Sequence, residues 1–309
     1  MNYTNQYLDN YLSFCQYQRC LNSKTINAYR TDLLQFMHYI STPSIIDLNK
    51  TQIEEYIIYL HNKYMPKTCK RKIASLKAFF HYLDFNELLS PNPFNKIQTK
   101  FREPAVLPKI IPVHTLEKFF GILYAQKQTA TTNYKKKCAI RNIAIIELLF
   151  ATGIRISELC VLTKNDVDLH DGFILVNGKG FKQRKIQIGN SSVLESLTTY
   201  KSAFLKEIDS CGYFFVSTPT THISDQSIRR MINRLARQAS IDLHITPHMF
   251  RHTFATCLLE ADVDIRYIQE ILGHSSINVT EIYTHVAMSK QKDILTNKHP
   301  RNTLNILSP

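Results

Sequence analysis

The chain has 309 residues, of which 44% are hydrophobic, so it is long enough for two domains with buried cores. Lysine and arginine number 38 against 25 acidic residues, and the resulting charge of +13 fits a polyanionic partner, most simply nucleic acid. A generally basic surface would give the same charge, so charge alone does not decide between the two. The seven cysteines form no CxxC pair, which argues against a zinc site or a disulfide framework. The N-terminus does not resemble a signal peptide and no apolar run could span a bilayer, so we expect a soluble, cytoplasmic protein with no membrane association.

Residues 1–95 are predicted to form a small all-helical domain. Ser23 is a candidate cap for its second helix, Thr51 with Glu54 fits a capping box for the third, and Pro66 suits the first turn of the fourth. The outer faces of the fourth helix are basic, and two interpretations remain open: solvated lysines, or a surface that follows a DNA backbone. The candidate DNA-binding residues on this helix are Lys67, Lys70, Arg71, Lys72 and Lys77.

Five prolines between residues 91 and 112 indicate an extended linker, which we assign to residues 96–112. A second domain, residues 113–309, is predicted to begin with a helix near Val113. The polar and basic stretch at residues 124–137 is predicted to be an exposed loop or a helix extension, and mobile. Residues 140–162 follow as a buried helix, a turn at Thr152 and Gly153, and a second helix.

Arg155 follows that turn directly, and Ser157 is a candidate cap for the helix that contains Glu158. An arginine held at the start of a helix is a positioned charge, although a structural ion pair with Glu158 is the simpler interpretation. The second domain therefore combines a buried helical layer with a candidate functional cation.

Residues 173–176 and 186–188 are the main strand candidates, so the second domain is predicted to contain a small antiparallel sheet. Lys179 lies between Gly178 and Gly180 at the predicted turn, where a lysine is ordinarily solvated. Residues 213–216 are a candidate for another short strand. Residues 227–239 are predicted to form a helix whose arginines could contact phosphates, and the candidates are Arg229, Arg230 and Arg234.

The stretch 246–285 carries the strongest functional signal. Pro247 suits the first turn of a helix, and His248 and Arg251 are spaced to share its outward face. Gly273 is predicted to end the next helix just before His274, and a short helix capped by Ser275 or Ser276 would carry Tyr283. Arginine forms bidentate bonds to phosphate oxygens, and a tyrosine beside a clamped phosphate is a candidate nucleophile.

Together these segments resemble the tyrosine recombinase (phage integrase) family. The resemblance rests on ATGIRISEL around Arg155, the GKG turn with Lys179, PHMFRHTFAT with His248 and Arg251, LGHSS with His274, and IYTHV with Tyr283. The segment KHPRN after the tyrosine further resembles the Xer recombinases. The implied fold is mainly α with a small antiparallel β-sheet: an N-terminal helical core-binding domain, then a mixed α+β catalytic domain with a tail from about residue 287.

The resemblance also implies a role for each motif residue. Arg155, Arg251 and His274 would hold the scissile phosphate, and Tyr283 would attack it to leave a 3′-phosphotyrosyl bond. His248 would accept the proton of the tyrosine, and Lys179 would protonate the departing 5′-oxygen. Glu158 would orient the arginine loop.

The implied partners are double-stranded DNA with core recombination sites and further copies of the chain. The family acts as a homotetramer, so the tail would be exchanged between protomers. No metal cluster or nucleotide-binding loop is found in the sequence, and the implied chemistry needs no cofactor.

Three functions remain to be compared. The first is a site-specific recombinase or integrase of a mobile element, of Xer-type resolution or of DNA inversion. The second is a DNA-binding regulator with the same fold, and the third is a type IB topoisomerase. The complete set of six catalytic candidates favours an enzyme over a regulator, and the Xer-like motifs disfavour the topoisomerase.

Overall fold

The computed structural model describes residues 3–40, 45, 47–89, 91–99, 101, 109–178, 183–217 and 221–273. The chain forms two compact units, Met1–Ala105 and Val106–Pro309, called here unit 1 and unit 2. The predicted fold class is confirmed, because the described residues are mainly helical and unit 2 contains a small antiparallel sheet. None of the helices in this part of the chain is both long enough and apolar enough to cross a membrane.

The described helices of unit 1 are Tyr3–Tyr17 (α1), Ser23–Ile40 (α2), Lys50–Lys63 (α3) and Pro66–Phe85 (α4). α4 begins at Pro66 as predicted, since the missing N–H of proline is no loss in the first turn. The predicted capping box of α3 is wrong by two residues. Asn49 is the cap: its side chain accepts from the Gln52 N–H, and the Gln52 side chain accepts from the Asn49 N–H.

Aromatic side chains dominate the core of unit 1. Phe36 of α2 lies edge-on to Tyr56 of α3, with ring centroids 4.9 Å apart, and Phe79 and Phe80 of α4 are fully buried. Rings of this size bury large apolar areas with few rotatable bonds, so they fix how the helices pack. A single turn of 3₁₀ helix, Pro93–Lys96, closes the unit through buried Phe94.

The described helices of unit 2 are Val113–Gln128 (α5), Asn133–Thr152 (α6), Ile156–Cys160 (α7), Ser191–Ala203 (α8), Leu205–Cys211 (α9), Asp225–Gln238 (α10), Pro247–Glu260 (α11) and Ile265–Leu272 (α12). α6 is central and packs against α5, α8 and α11. The stretch at residues 124–137 is a pair of helix extensions, since α5 continues to Gln128 and Thr132 caps α6. It is therefore largely helical rather than a loop.

The sheet of unit 2 comprises Val167–Asp168 (β1), Phe173–Asn177 (β2) and Gln183–Gln187 (β3), in the antiparallel order β1-β2-β3. β2 agrees with the prediction, whereas β3 begins before Ile186. The last two pairs of the hairpin join Val176 to Arg184 and Asn177 to Gln183. A second antiparallel pair, Val216–Ser217 (β4) with Thr221–His222 (β5), includes only the end of the strand predicted at residues 213–216.

Candidate active site

The turn between α6 and α7 positions Arg155. Gly153 ends α6 in the left-handed region at φ 59°, and an added Cβ would lie 2.6 Å from the Phe254 ring, so only glycine fits. Arg155 then occupies the N-cap position of α7, and its N–H donates to Glu158 Oε2 at 2.9 Å. The prediction that Ser157 caps this helix is therefore wrong, because Glu158 reaches back to the residue before it.

Glu158 is a buried carboxylate shared by two arginines. Arg155 donates from its backbone and from Nη1 at 2.8 Å, and Arg184 donates from Nη1 at 3.1 Å and Nη2 at 2.8 Å. Burial alone would raise the pKa of Glu158, but the bonds from Arg184 and Arg155 outweigh it, and the pKa lies below its ordinary value. The carboxylate therefore stays ionised and holds Arg155 in place.

Arg251 has a different position from the one predicted. It does not face outward: the residue is 5% exposed, and its Nη1 and Nη2 donate to the carbonyls of Gly153 at 2.8 Å and Leu272 at 2.7 Å. Burial, followed by the charge of Arg155, lowers the pKa of Arg251 to about 9, so the guanidinium remains protonated at neutral pH.

His248 lies three residues before Arg251 on α11 and is exposed. Partial burial of its ring, followed by the charges of Arg229, Arg251 and Arg155, lowers the pKa of His248 below its ordinary value of 6.5. The imidazole is therefore neutral at pH 7 and can accept a proton.

The C-terminal end of α12 is where these groups converge. Three consecutive carbonyls accept from three arginines of different elements: Ile271 from Arg184 Nε at 2.8 Å, Leu272 from Arg251, and Gly273 from Arg155 Nη2 at 3.3 Å. Carbonyls at a helix end have no partner within the helix and carry its negative dipole, so they attract guanidinium groups. Arg155 and Arg251 are thus brought together directly before position 274.

Arg184 is a site residue that the sequence interpretation missed. A signal was available: in a strand, residues two apart share a face, and Arg184 shares the face of buried Ile186. A charged residue on the buried face of a strand indicates an ion pair with a buried partner.

Lys179, His274 and Tyr283 lie outside the described residues, as do Ser275, Ser276 and the tail. Their roles remain predictions from the sequence.

The basic face of α4 is exposed at Lys67, Lys70, Arg71 and Lys77, which recur at helical spacing. Lys72 does not belong to this face. It is 3% exposed, and its Nζ donates to Asp32 Oδ1 at 3.0 Å and to Gln35. The structure contradicts the prediction that Lys72 faces DNA, because a buried lysine needs an internal partner. On α10, the three predicted residues Arg229, Arg230 and Arg234 are exposed.

Comparisons with known proteins agree with the resemblance. Residues 123–290 match the model of the phage integrase family, and residues 8–84 match the phage integrase N-terminal SAM-like domain. A tyrosine recombinase of Agathobacter rectalis is 60% identical over 97% of this chain and 98% of its own length. The tyrosine recombinase XerD of Listeria monocytogenes is 33% identical over 96% of this chain and 99% of its own length.

Among solved structures, the XerH recombinase in a post-cleavage complex with a palindromic difH substrate has a TM-score of 0.73, with 24% identity over 92% of this chain and 83% of that chain. At that identity the match supports the fold alone. The sequence matches carry the assignment, because they cover nearly the whole length of both chains. The chain belongs to the phage integrase family and is a tyrosine recombinase, an enzyme of site-specific DNA recombination.

Proposed function

We propose that the chain cuts and rejoins duplex DNA at core recombination sites through a 3′-phosphotyrosyl bond to Tyr283. The observation that carries the proposal is the convergence of Arg155 and Arg251 on the last carbonyls of α12, with His248 beside them. Two fixed guanidiniums next to a neutral imidazole are suited to a phosphodiester. They stabilise the added negative charge of its transition state without needing to reorganise.

In the first step, Tyr283 Oη forms a bond to phosphorus and the bond to the 5′-oxygen breaks. Arg155, Arg251 and His274 hold the non-bridging oxygens. A free tyrosine has a pKa of about 10, so its proton needs an acceptor, and neutral His248 supplies one. Lys179 gives a proton to the departing 5′-oxygen. Glu158 touches no substrate in this scheme and fixes Arg155.

In the second step, a 5′-hydroxyl from a partner duplex attacks the phosphotyrosyl bond and releases Tyr283. Each step exchanges one phosphate ester for another, so the bond energy is retained. Neither step requires a metal, a nucleotide or another cofactor. Hydrolysis by water would lose the covalent bond, so exclusion of water matters more than its activation.

The test is a suicide DNA substrate with a nick near the cleavage site. After cleavage, the short fragment that carries the 5′-hydroxyl leaves the substrate, so the strand cannot be rejoined and the covalent complex accumulates. Wild type is expected to form a covalent complex that survives denaturing electrophoresis, whereas Tyr283→Phe is expected to bind the same DNA without forming it. Covalent complex in both proteins would refute the assignment of Tyr283. Binding without cleavage by wild type at every site tested would favour a DNA-binding regulator.

We assign residues 1–95 to core-site binding, 96–112 to the linker and 113–309 to catalysis. The exposed basic faces of α4 and α10 support a contact with the DNA backbone. Related folds support duplex DNA as the partner: XerH is bound to difH, and a lambda integrase dimer is bound to a COC′ core site. Either a mobile element or Xer-type resolution fits this function, with DNA inversion as the alternative.

We also propose a homotetramer on DNA whose tails, from about residue 287, are exchanged between protomers. Removal of the residues after Lys290 is expected to leave binding to a single site intact but to abolish synapsis and strand exchange. Gel shifts on one site and recombination between two sites measure the two properties separately. An unaltered recombination rate in the truncated protein would contradict the exchange.

A further inference from the structure

Arg184 is buried at the base of the β2–β3 hairpin. Its side chain is 12% exposed, and it pairs across the hairpin with Val176, one position from the last pair, Asn177 with Gln183. Lys179 follows Asn177 by two residues in the sequence. Whatever holds Arg184 therefore holds the end of the hairpin from which the segment with Lys179 leaves.

The donors of Arg184 point at protein atoms. Nη1 and Nη2 contact the two oxygens of Glu158, and Nε donates to the carbonyl of Ile271 at 2.8 Å. The planar guanidinium thus donates to a carboxylate and to a carbonyl at a helix end at the same time. A lysine ammonium group could not make these bonds with the same geometry. The contacts join β3 to α7 and to the end of α12, three elements that are distant in sequence.

Gly273 shows how closely Arg184 packs against that helix end. Gly273 is in the left-handed region at φ 64°, and an added Cβ would lie 2.9 Å from Arg184 Nη1. The residue before His274 is thus in contact with the arginine that anchors the hairpin.

Glu158 completes the connection to Arg155. Each of its oxygens accepts once from Arg155 and once from Arg184, so the carboxylate uses all of its favourable acceptor positions. Without Arg184, Glu158 would be buried with half of these bonds. Arg184 therefore links the base of the hairpin to Glu158, which also binds Arg155, and to the end of α12.

We infer that Arg184 is a positioning residue for DNA cleavage. It fixes the position of the hairpin that leads to Lys179 relative to Arg155. It also fixes the hairpin relative to the end of α12, which leads to His274. The inference rests on the proposed function, because it assigns Arg184 an effect through the general acid Lys179. In this scheme Arg184 acts through other residues rather than on DNA or on the reacting atoms.

The first test compares Arg184→Met and Arg184→Lys with Arg266→Met. Arg266 is a suitable control, since it lies on α12, its side chain is 84% exposed, and it pairs with Asp264 two residues away. Single-turnover cleavage is expected to fall by about 100-fold in Arg184→Met and about tenfold in Arg184→Lys, with DNA affinity unchanged. Arg266→Met should cleave like wild type. Wild-type cleavage by Arg184→Met would overturn the inference.

The second test separates positioning from general loss of structure. In a substrate with sulfur in place of the bridging 5′-oxygen, the leaving thiolate needs no proton, so the general acid becomes dispensable. Lys179→Ala serves as the positive control and should recover cleavage on this substrate. Arg184→Met is expected to recover most of its loss as well, whereas a merely destabilised protein would be equally impaired on both substrates.

The outcomes distinguish the inference from the proposed function. Recovery of Lys179→Ala but not of Arg184→Met would overturn the role of Arg184 alone. Recovery of neither variant would overturn Lys179 as the general acid and this inference with it. Covalent complex in wild type but not in Tyr283→Phe would still support the tyrosine.

Discussion

Each unit of the protein contains a buried carboxylate held by two basic side chains. In unit 1, Asp32 accepts from Lys72, from Arg71 and from Ser75 Oγ at 2.9 Å. In unit 2, Glu158 accepts from Arg155 and Arg184. In both clusters the side chain of one cation is nearly buried, 4% exposed in Lys72 and 12% in Arg184. The side chain of the other reaches the surface, 47% exposed in Arg71 and 36% in Arg155.

The shared arrangement has a physical consequence. The buried cation compensates the carboxylate, and the carboxylate then holds the second cation at the surface in a limited range of orientations. An arginine fixed in this way loses less entropy on binding a phosphate than a flexible surface lysine does. We therefore expect Arg71 and Arg155 to meet a DNA phosphate at a lower entropic cost than a flexible surface lysine would.

The two clusters differ in what they connect. Asp32 joins α2 to α4 within one helical bundle, so its loss should act mainly on stability. Glu158 joins α7 to β3 and, through its arginines, to the end of α12, so its loss should act mainly on the reaction. The following substitutions test this division.

The largest effect is expected for Asp32→Ala, which leaves the buried Lys72 without its carboxylate. Removal of one partner of a buried pair destabilises by about 3–5 kcal/mol, whereas replacement of both partners by apolar residues is often neutral. Denaturant unfolding, followed by amide exchange in α2 and α4, measures the loss. The double variant Asp32→Leu/Lys72→Met is the control and should recover most of it; equal destabilisation in both would show that the charge pair is not the cause.

Glu158→Gln should reduce cleavage more than it reduces stability, the reverse of Asp32→Ala. The amide cannot accept four bonds and turns an NH₂ group toward a guanidinium, so Arg155 and the hairpin lose their common anchor. Cleavage is expected to fall by about 100-fold, while the free energy of unfolding falls by about 1–3 kcal/mol. Single-turnover cleavage at a temperature where the variant is fully folded gives the first quantity. If Glu158→Gln lost much stability but cleaved normally, the Glu158 cluster would act on stability, as the Asp32 cluster is expected to do.

The two clusters also differ in how much could be predicted from sequence. Arg155 and Glu158 are three residues apart beside a glycine turn, so their pairing was visible as local spacing. Asp32 and Lys72 are 40 residues apart, and nothing local marks Lys72 as internal among neighbouring lysines. The prediction therefore assigned it to the DNA face, although the period of α4 alone could have placed it beside buried Ile73 and Leu76.

The helix ends at Pro66, Pro247 and Gly273 were predictable for a similar reason, because these residues act through their own backbone restrictions. The inward orientation of Arg251 was not, since it depends on carbonyls of Gly153 and Leu272 that only the tertiary fold brings near. The candidate residues were found by type and order, but the network that connects them required coordinates.

A smaller effect is expected for Arg71→Gln, measured on DNA affinity. If Arg71 contacts a phosphate, its loss should weaken binding to all sequences alike and reduce the slope of log affinity against log salt by about one. Lys77→Gln, on the same helix face, is the matched comparison and should have the weaker effect, because Asp32 orients only Arg71. A larger effect of Lys77→Gln would argue against orientation by the carboxylate.

The smallest expected effect is a shift in the pH dependence of cleavage, which should respond to charges near His248 but not to the Asp32 cluster. Burial of the ring, followed by the charges of Arg229, Arg251 and Arg155, depresses the pKa of His248. As the proposed base, His248 must be neutral, so cleavage should decline only as pH falls through that depressed pKa. Arg229→Gln removes one of the opposing charges, so the pKa of His248 rises and the acid limb of cleavage moves to higher pH.

Single-turnover cleavage at saturating DNA and constant ionic strength measures this limb. Arg234→Gln is the control, because it removes the same charge from the same helix without contributing to the pKa of His248. The Asp32 cluster predicts no such shift, since it lies in unit 1 and holds no group of the reaction; Arg71→Gln should leave the limb where it is. An equal shift in all three variants would indicate a general effect of charge on DNA binding and would remove His248 as the group that titrates.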